Sequence, residues 1–479
     1  MTSPAGIHEE QPKKLVVIYP PPEMIGHLVS TVELGKLLAA HGLKVTIVLG
    51  GQPDDRAAAG GGANADRLLE GVTTAHPELS VHRLPCVTRP RDVPTADHVA
   101  QAFELARASI PDLREFLRAA SPAALIVDFF CGCAVEVGAE LGVPTYFFFT
   151  SGIAGLAFLL HYPVVHGQIA RSLRDLSGGI VHAPGLPGIP VDHVPEHDLD
   201  RDGLAIRHFL AVSEQLCSSQ GVIVNSFRSL EPRAADAIVA GLCTPAGHRT
   251  PPLHCIGPLI TSEAAGASRH ECLAWLDAQP DASVVFLCFG SLGRFSAEQT
   301  RQVARGLETS GQRFLWVVRR PPGDEQRRQL DPDLDALLPE GFLARTKDRG
   351  LVVKSWAPQR EVLAHAAVGG FVTHCGWNSI LEAITGGVPM LAWPMYAEQR
   401  MNKVLLVDEM RLAVAVEGYD KEMVKDEEVA GKVRWLMESD GGMELRERTQ
   451  AAMRQANEAL THDGESTVTL RELARQWTI

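Results

Sequence analysis

His27 and Asp128 are the two residues of this chain best placed for acid–base chemistry. LVVIY (15–19) is a continuous apolar strand, and the following GHLVSTVELGKLLAAHG has helical periodicity that ends at a glycine. His27 therefore falls in the first turn of a helix, just past the carboxyl end of a strand. Asp128 stands near the end of a second apolar strand, ALIVDFF (124–130). Ligands of open α/β sheets bind outside the carboxyl ends of the strands, so both side chains are expected at one crevice. A carboxylate held against an imidazole fixes its tautomer and stabilises the imidazolium, which makes the histidine a general base. The residue types also allow a plainer alternative, because a histidine at a helix start and an aspartate at a strand end are commonly caps.

A second constellation lies in GGFVTHCGWNSILEAITGGVPMLAWPMYAEQ (369–399). The strand FVTH runs into the loop CGWNS and a helix opening near Ser379, so Asn378 and Ser379 crowd a helix N-terminus. Unpaired amides and the helix dipole favour an anion such as a phosphate there. His374 on the approach could add a hydrogen bond to a diphosphate, and Glu382, one turn into the helix, could accept from ribose hydroxyls. The strand–turn FLCFGSLGRFS (286–296) puts Ser291 at an equivalent place; the alternative there is a simple turn. Trp356, ending LVVKSW, is either core or a flat surface for a nucleobase. Glu398 and Gln399 suit sugar hydroxyls or merely open a helix.

Other chemistries are disfavoured. No G-x-G-x-x-G follows a strand, and the GKL at 35–37 is not a phosphate-binding P-loop. Neither G-x-S-x-G nor H-E-x-x-H occurs. The 45 basic residues against 58 acidic ones give a net charge of −13 without a basic run, which argues against nucleic acid or an anionic membrane surface as a partner. Nine dispersed cysteines, lacking C-x-x-C or zinc-finger spacing, fit reduced thiols in a cytoplasmic protein. The opening MTSPAGIHEEQPKK is polar and unlike a secretory signal. The apolar stretch Val143–Leu160 is interrupted by Pro, Gly and hydroxylated residues and reads as a buried strand followed by a helix, since a membrane span needs roughly 20 mainly apolar residues.

Strands alternating with helices must position these groups. Besides the first β-α-β unit, ALIVDFF, VPTYFFF and GVIVNSF (221–227) read as buried parallel strands, and a second series follows with SVVFLCFGS, RFLWVV, LVVKSW, GGFVTHCG and VPMLAWP. The expected fold class is α/β, two tandem doubly wound domains with a ligand cleft between them. Residues 1–254 form the first domain in this reading and 255–270, with TSEAAGAS, a linker; 271–444 form the second domain, and 445–479 are helices packing back toward the first. AAAGGGANAD (57–66), HAPGLPGIPVDHVPEHD (182–198) and RRPPGDEQRRQLDPDLD (319–335) read as surface loops, the second able to wall a pocket.

From Trp356 to Gln399, WAPQREVLAHAAVGGFVTHCGWNSILEAITGGVPMLAWPMYAEQ resembles the signature box of plant family 1 UDP-dependent glycosyltransferases over its full length. GHLVSTVELGKLL, LIVDFF, VNSF with Leu230 and Glu231, IGPL, CLAWLD, VVFLCFGS and LPEGF are similar to further landmarks of that family. The resemblance implies two Rossmann-like domains facing each other across a cleft, the GT-B fold. It implies His27 as the base deprotonating an acceptor hydroxyl and Asp128 as its orienting partner. It implies Trp356 stacking on uracil with Ala357 reading the base edge, Gln359 and Glu382 on ribose, and His374, Asn378, Ser379 and Ser291 on the diphosphate. Trp377, Glu398 and Gln399 would contact the sugar, and Thr150 would reach the donor from the first domain.

The same resemblance implies an inverting transfer from a UDP-sugar, a co-substrate with no cofactor and no metal. Gln399 is compatible with UDP-glucose, with galactose left open; Trp377, where relatives using glucuronic acid tend to carry Arg, argues against an anionic sugar. Ser30 stands where close relatives often have Pro. The aromatic and aliphatic residues at 147–160 and the 182–198 loop suggest an apolar pocket for a flavonoid or other phenolic acceptor. A cytoplasmic monomer is expected. C-glycosylation through a phenol ring, a non-catalytic nucleotide-sugar binding module and a nicotinamide oxidoreductase are the competing readings. Retention of both His27 and Asp128 opposes the second, and the missing glycine fingerprint opposes the third.

Overall fold

The computed structural model describes residues 13–51, 63–91, 93–94, 97–176, 178–196, 199–260, 269–323, 331–421 and 423–478. The stretch TSEAAGAS, most of AAAGGGANAD, the middle of RRPPGDEQRRQLDPDLD and the polar start of the chain lie outside them. By their internal contacts the residues divide into two compact units, neither of them one continuous stretch. The first comprises Met1–Phe148, Ser218–Ile223 and Val468–Ile479, the second Phe149–Cys217 and Val224–Thr467.

Fifteen strands are described. They are β1 (Leu15–Tyr19), β2 (Lys44–Leu49), β3 (Leu79–Arg83), β4 (Ala124–Asp128), β5 (Thr145–Phe149), β6 (Ile180–Val181), β7 (Ile189–Pro190), β8 (Gly221–Val224), β9 (Leu253–Cys255), β10 (Val284–Cys288), β11 (Arg313–Val318), β12 (Gly350–Lys354), β13 (Val368–Thr373), β14 (Met390–Ala392) and β15 (Ala413–Ala415). One sheet has the order β3-β2-β1-β4-β5-β8-β9 and another the order β12-β11-β10-β13-β14-β15; β6, just before the 182–198 stretch, and β7, inside it, form an antiparallel ribbon.

Chain direction makes these orders informative. β1 pairs in parallel with β2 on one side and β4 on the other, Val16 facing both Val45 and Ala124. The connections thus leave β1 toward one edge and later return to its other side, so the strand order reverses between β1 and β4. In the second sheet β10 pairs with β11 and with β13, and the reversal falls between β10 and β13. Such a reversal opens a crevice at the carboxyl ends of its two strands, because the loops there diverge to opposite faces. Those ends are Tyr19 and Asp128 in one sheet and Cys288 and Thr373 in the other.

Burial on both faces explains the unbroken apolar runs. Along β10, Val284, Phe286 and Cys288 join one core with Phe371, Ile380, Leu381 and Ile384, while Val285 and Leu287 join another with Val303, Leu307, Trp316 and Val433. Period-two alternation thus sends neighbouring residues to opposite cores, and the helix Trp377–Thr385 covers the first of these faces. The stretch Val143–Leu160 resolves into β5 and the helix Ile153–Gln168, as its interruptions led us to expect. No described helix is long and apolar enough to cross a membrane. All nine cysteines are unpaired, and Cys86 alone among them is exposed.

Candidate active site

In the first unit, the helix Ile25–Ala40 places His27 in its first turn, where the His27 N–H donates to the Met24 carbonyl at 3.1 Å. His27 Nδ1 lies 2.8 Å from Asp128 Oδ2. Asp128 is 1% exposed, and its other carboxylate oxygen accepts from the Phe130 N–H at 3.0 Å. Asp128 therefore makes both contacts: one oxygen caps the turn after β4 and the other holds the imidazole. A carboxylate offers no proton, so Nδ1 is the donor and the lone pair sits on Nε2, the arrangement a general base needs. The rings of Phe129 and Phe130, centred 5.6 and 5.3 Å from that of His27, flank the imidazole. Ser30 returns its hydroxyl to the Gly26 carbonyl at 3.5 Å, and the helix runs on unbroken.

In the second unit, Trp356 is 60% exposed. Ser355 before it adopts φ 61°, and the Trp356 N–H turns back to the Lys354 carbonyl at 2.6 Å. A non-glycine residue in the left-handed region stores strain, and here the outcome is an indole held out of the core. The His270 ring braces it edge-on at 5.7 Å. Ala357, next in the chain, is buried. The surface reading of Trp356 therefore prevails over the core one.

His374 follows β13 and is 6% exposed. Its ring passes between two glycines: a Cβ on Gly376 would lie 2.5 Å from His374 Nε2, and one on Gly290, which has φ +70°, would collide with the same atom. Its Nδ1 is buried without a hydrogen-bond partner. Burial first, and the positive charge of Arg319 second, lower its pKa to about 4, so the imidazole is neutral at physiological pH. The loop after it is strained at Cys375, φ 64°, and pinned by the Asn402 side chain, which donates to the Cys375 carbonyl at 3.0 Å.

The helix then runs Trp377–Thr385, two residues earlier than the sequence suggested, with Gly376 as a cap that has no side chain to offer. Its first intrahelical bond is Ile380 N–H to the Gly376 carbonyl, so the amides of Trp377, Asn378 and Ser379 form the positive end of the helix. Gln359 Nε2 donates to Ser379 Oγ at 2.8 Å and to Glu382 Oε2 at 2.6 Å, bringing three of the expected donor-binding residues together. Burial raises the Glu382 pKa to about 7, against the lowering effect of the Gln359 bond. Only the carboxylate is a pure acceptor for hydroxyls, and protonation sets in as pH falls through about 7. On the expectation that Glu382 accepts from the ribose of a UDP-sugar, affinity for that donor should weaken below that pH, by at most about tenfold per unit for one linked proton, and Glu382→Gln should flatten the dependence. Calorimetry at several pH values on both forms checks this; parallel profiles would contradict it.

Elsewhere the geometry departs from simple expectation. The Trp377 side chain is buried, and its Nε1–H donates to the Asn225 carbonyl at 2.7 Å, so what it presents at the helix end is its backbone amide. Gln399 is 2% exposed, and its Oε1 accepts from the Met395 and Tyr396 N–H groups at 2.9 and 3.0 Å, holding the preceding turn. Glu398 precedes the helix Gln399–Val404 without capping it. Ser291 is exposed in the turn after β10, and Thr150 is buried just past β5 within the second unit. Gly290, Gly376 and Arg319 were not singled out from sequence; the glycines beside Ser291 and His374 were the available signal. Among the described residues no cluster of His, Cys, Asp or Glu is arranged to hold a metal ion.

Comparison with known proteins places this geometry. The family model described as "UDP-glucoronosyl and UDP-glucosyl transferase" matches residues 248–438. An anthocyanidin 5,3-O-glucosyltransferase from a Rosa hybrid cultivar is 43% identical, covering 96% of this chain and 98% of that protein. A phloretin 2'-O-glucosyltransferase from Malus domestica is 44% identical over 95% of this chain and 97% of its own. Among solved structures, Phytolacca americana UGT2 complexed with UDP-2fluoro-glucose and pterostilbene is 35% identical, with TM-score 0.85 and coverage of 97% and 100%. A Polygonum tinctorium UDP-glucosyltransferase capable of glucosylating indoxyl is 34% identical, with TM-score 0.86 and coverage of 98% and 99%. The fold is thus the GT-B class that the resemblance implied, built on the α/β alternation of strands and helices read from the sequence.

Proposed function

Because this chain belongs to the plant family 1 UDP-glycosyltransferases, enzymes that transfer hexosyl groups, we propose that it moves glucose from UDP-glucose to a hydroxyl of a flavonoid or related phenolic. The names of its relatives support the acceptor class, and the 2.8 Å contact between His27 Nδ1 and Asp128 Oδ2 carries the mechanism. His27 Nε2 takes the proton of the acceptor hydroxyl. The oxygen attacks the anomeric carbon as the bond to the UDP oxygen breaks, the electron pair leaves with UDP, and configuration at that carbon inverts. The proton stays on His27, whose new charge Asp128 stabilises.

On the donor side, uracil stacks on Trp356 beside the Ala357 backbone, and the Gln359–Glu382 pair takes the ribose. His374, neutral and buried, donates to the diphosphate with the Ser291 and Thr150 hydroxyls and the first-turn amides of Trp377–Thr385. Charge developing on the leaving group is met by these fixed dipoles, which need no reorganisation. Glu398 and Gln399 line the sugar end. The enzyme acts in this reading as a cytoplasmic monomer.

The deciding experiment supplies UDP-glucose, UDP-galactose and UDP-glucuronate with a panel of flavonoids, simpler phenols and terpenoid alcohols, and measures UDP release and product. Turnover of phenols with UDP-glucose is expected. Binding of the nucleotide sugar with no acceptor turned over would make the protein a binding module, and products resisting acid hydrolysis would move the new bond from oxygen to carbon.

A further inference from the structure

Glu231 is a buried acid that the chemistry above does not use. It is 4% exposed, and its two oxygens accept three hydrogen bonds: from the Ile153 N–H at 2.8 Å, the Ala154 N–H at 2.9 Å and the Ser226 hydroxyl at 2.5 Å. Ile153 and Ala154 open the helix Ile153–Gln168, whose own cap residue, Gly152, contributes no side chain. A carboxylate from nearly eighty residues away thus supplies the cap and complements the positive end of the helix dipole.

The segment just before this helix is Thr150–Ser151–Gly152, and it is gripped from both ends. On one side the Asn225 N–H donates to the Phe149 carbonyl at 3.1 Å; on the other stand the two amides held by Glu231. Gly152 in turn packs directly on Trp377: an added Cβ would lie 2.7 Å from the Trp377 ring and 2.8 Å from Glu231 Oε1. Trp377 is itself fixed by its Nε1–H on the Asn225 carbonyl, and Asn225 Oδ1 anchors the Leu259 N–H at 2.8 Å. Asn225, Ser226 and Glu231, all within seven positions after β8, therefore tie the Thr150 turn to the first residue of the helix Trp377–Thr385.

We propose that Glu231, acting with Ser226 and Asn225, is a positioning residue for the donor: it sets the Thr150 turn and the N-terminus of the Trp377–Thr385 helix at the spacing one diphosphate requires. This rests on the donor reading of those two elements. Glu231 touches neither substrate; it acts through Gly152 and Trp377. A carboxylate is needed because three donors converge on it, whereas glutamine offers one acceptor oxygen and turns an NH2 toward an N–H or hydroxyl.

Steady-state kinetics and UDP calorimetry on the full chain test the idea with Glu231→Gln, Gly152→Ala and Ser226→Ala. In Glu231→Gln and Gly152→Ala the donor KM and UDP Kd should rise about tenfold, the loss of one to two hydrogen bonds to a charged group, while acceptor KM stays within about twofold. Ser226→Ala, which removes only a hydroxyl, should give a smaller rise in the same direction. A lower thermal midpoint with donor KM unchanged in the folded variants overturns the proposal and leaves Glu231 a structural cap. Should Glu231→Gln fail to fold, the other two variants decide. Glu382→Ala serves as the reference: if it weakens UDP binding while Gly152→Ala and Ser226→Ala do not alter it, this inference fails alone, and if wild type itself binds no UDP, the donor reading fails with it.

Discussion

Replacing His27 with alanine is expected to lower kcat by about 10²- to 10⁴-fold, the usual contribution of a positioned general base, with UDP-glucose affinity unchanged. The second half of the expectation is the sharper one, since His27 belongs to the first unit and the residues proposed to bind the donor to the second. Asp128→Asn should produce a loss of the same order by a different route. Asparagine keeps an oxygen for the Phe130 N–H, so the turn after β4 survives, but its NH2 faces His27 Nδ1 and forces that nitrogen to accept. The ring proton moves to Nε2, where the lone pair is needed. Kinetics on both variants with calorimetry of UDP-glucose check this, and turnover within a few-fold of wild type in His27→Ala would remove the base assignment.

His374→Ala should cost about 10²- to 10³-fold in kcat, the range found when one fixed donor to a developing anion is deleted. The loss should fall mainly on kcat, because the charge on the diphosphate grows only as the glycosidic bond breaks. With its pKa lowered to about 4, the imidazole stays neutral from pH 6 upward and its hydrogen bond does not titrate in the working range. The acid limb of a pH–kcat/KM profile must then come from elsewhere, and Glu382, raised by burial to about 7, is a group that takes up a proton in that range, so activity falls as pH falls through it. A residual activity in His374→Ala that keeps the wild-type acid limb fits this division, whereas disappearance of that limb would assign it to His374. Gly290→Ala should reproduce part of the defect, since its Cβ would press on Nε2 from a backbone already at φ +70°.

Much of this was legible in the residues themselves. Unbroken apolar runs such as LVVIY and VVFLC announced strands buried on both faces, and a histidine and an aspartate following two such runs announced a pair at one sheet edge. Periodicity alone left open whether they met, because a cap and a histidine's partner look alike in sequence; the structure shows Asp128 bonded both to the Phe130 N–H and to His27. That Gln359, Ser379 and Glu382 belong to one site was expected only through likeness to a family, since nothing local says that residues separated by a strand and a loop will converge as these three do. The least legible features were those fixed at long range. Neither Ser355 nor Cys375 is a residue type that advertises a left-handed turn, and the strain is imposed by the strands and loops on either side. Trp377 was expected at the sugar only through likeness to the family, and its anchor was not legible at all, since the carbonyl that accepts its side-chain N–H belongs to Asn225, 152 positions earlier. Glu231 stood out only as a landmark, since the helix it caps starts 78 positions before it.

The two reversals of strand order also bear on how such a chain can diversify. At each, a crevice opens at the loops beyond β1 and β4 or beyond β10 and β13, with the loops after β5, β12 and β14 adding further groups, while the strands themselves are sealed on both faces by apolar packing. Inherited changes in those loops leave strand register and core volume untouched, so a duplicated gene could drift toward a new acceptor without passing through unfolded ancestors. The elements tied together by Asn225, Ser226 and Glu231 have no such freedom, because a change at any one of them is felt at two others.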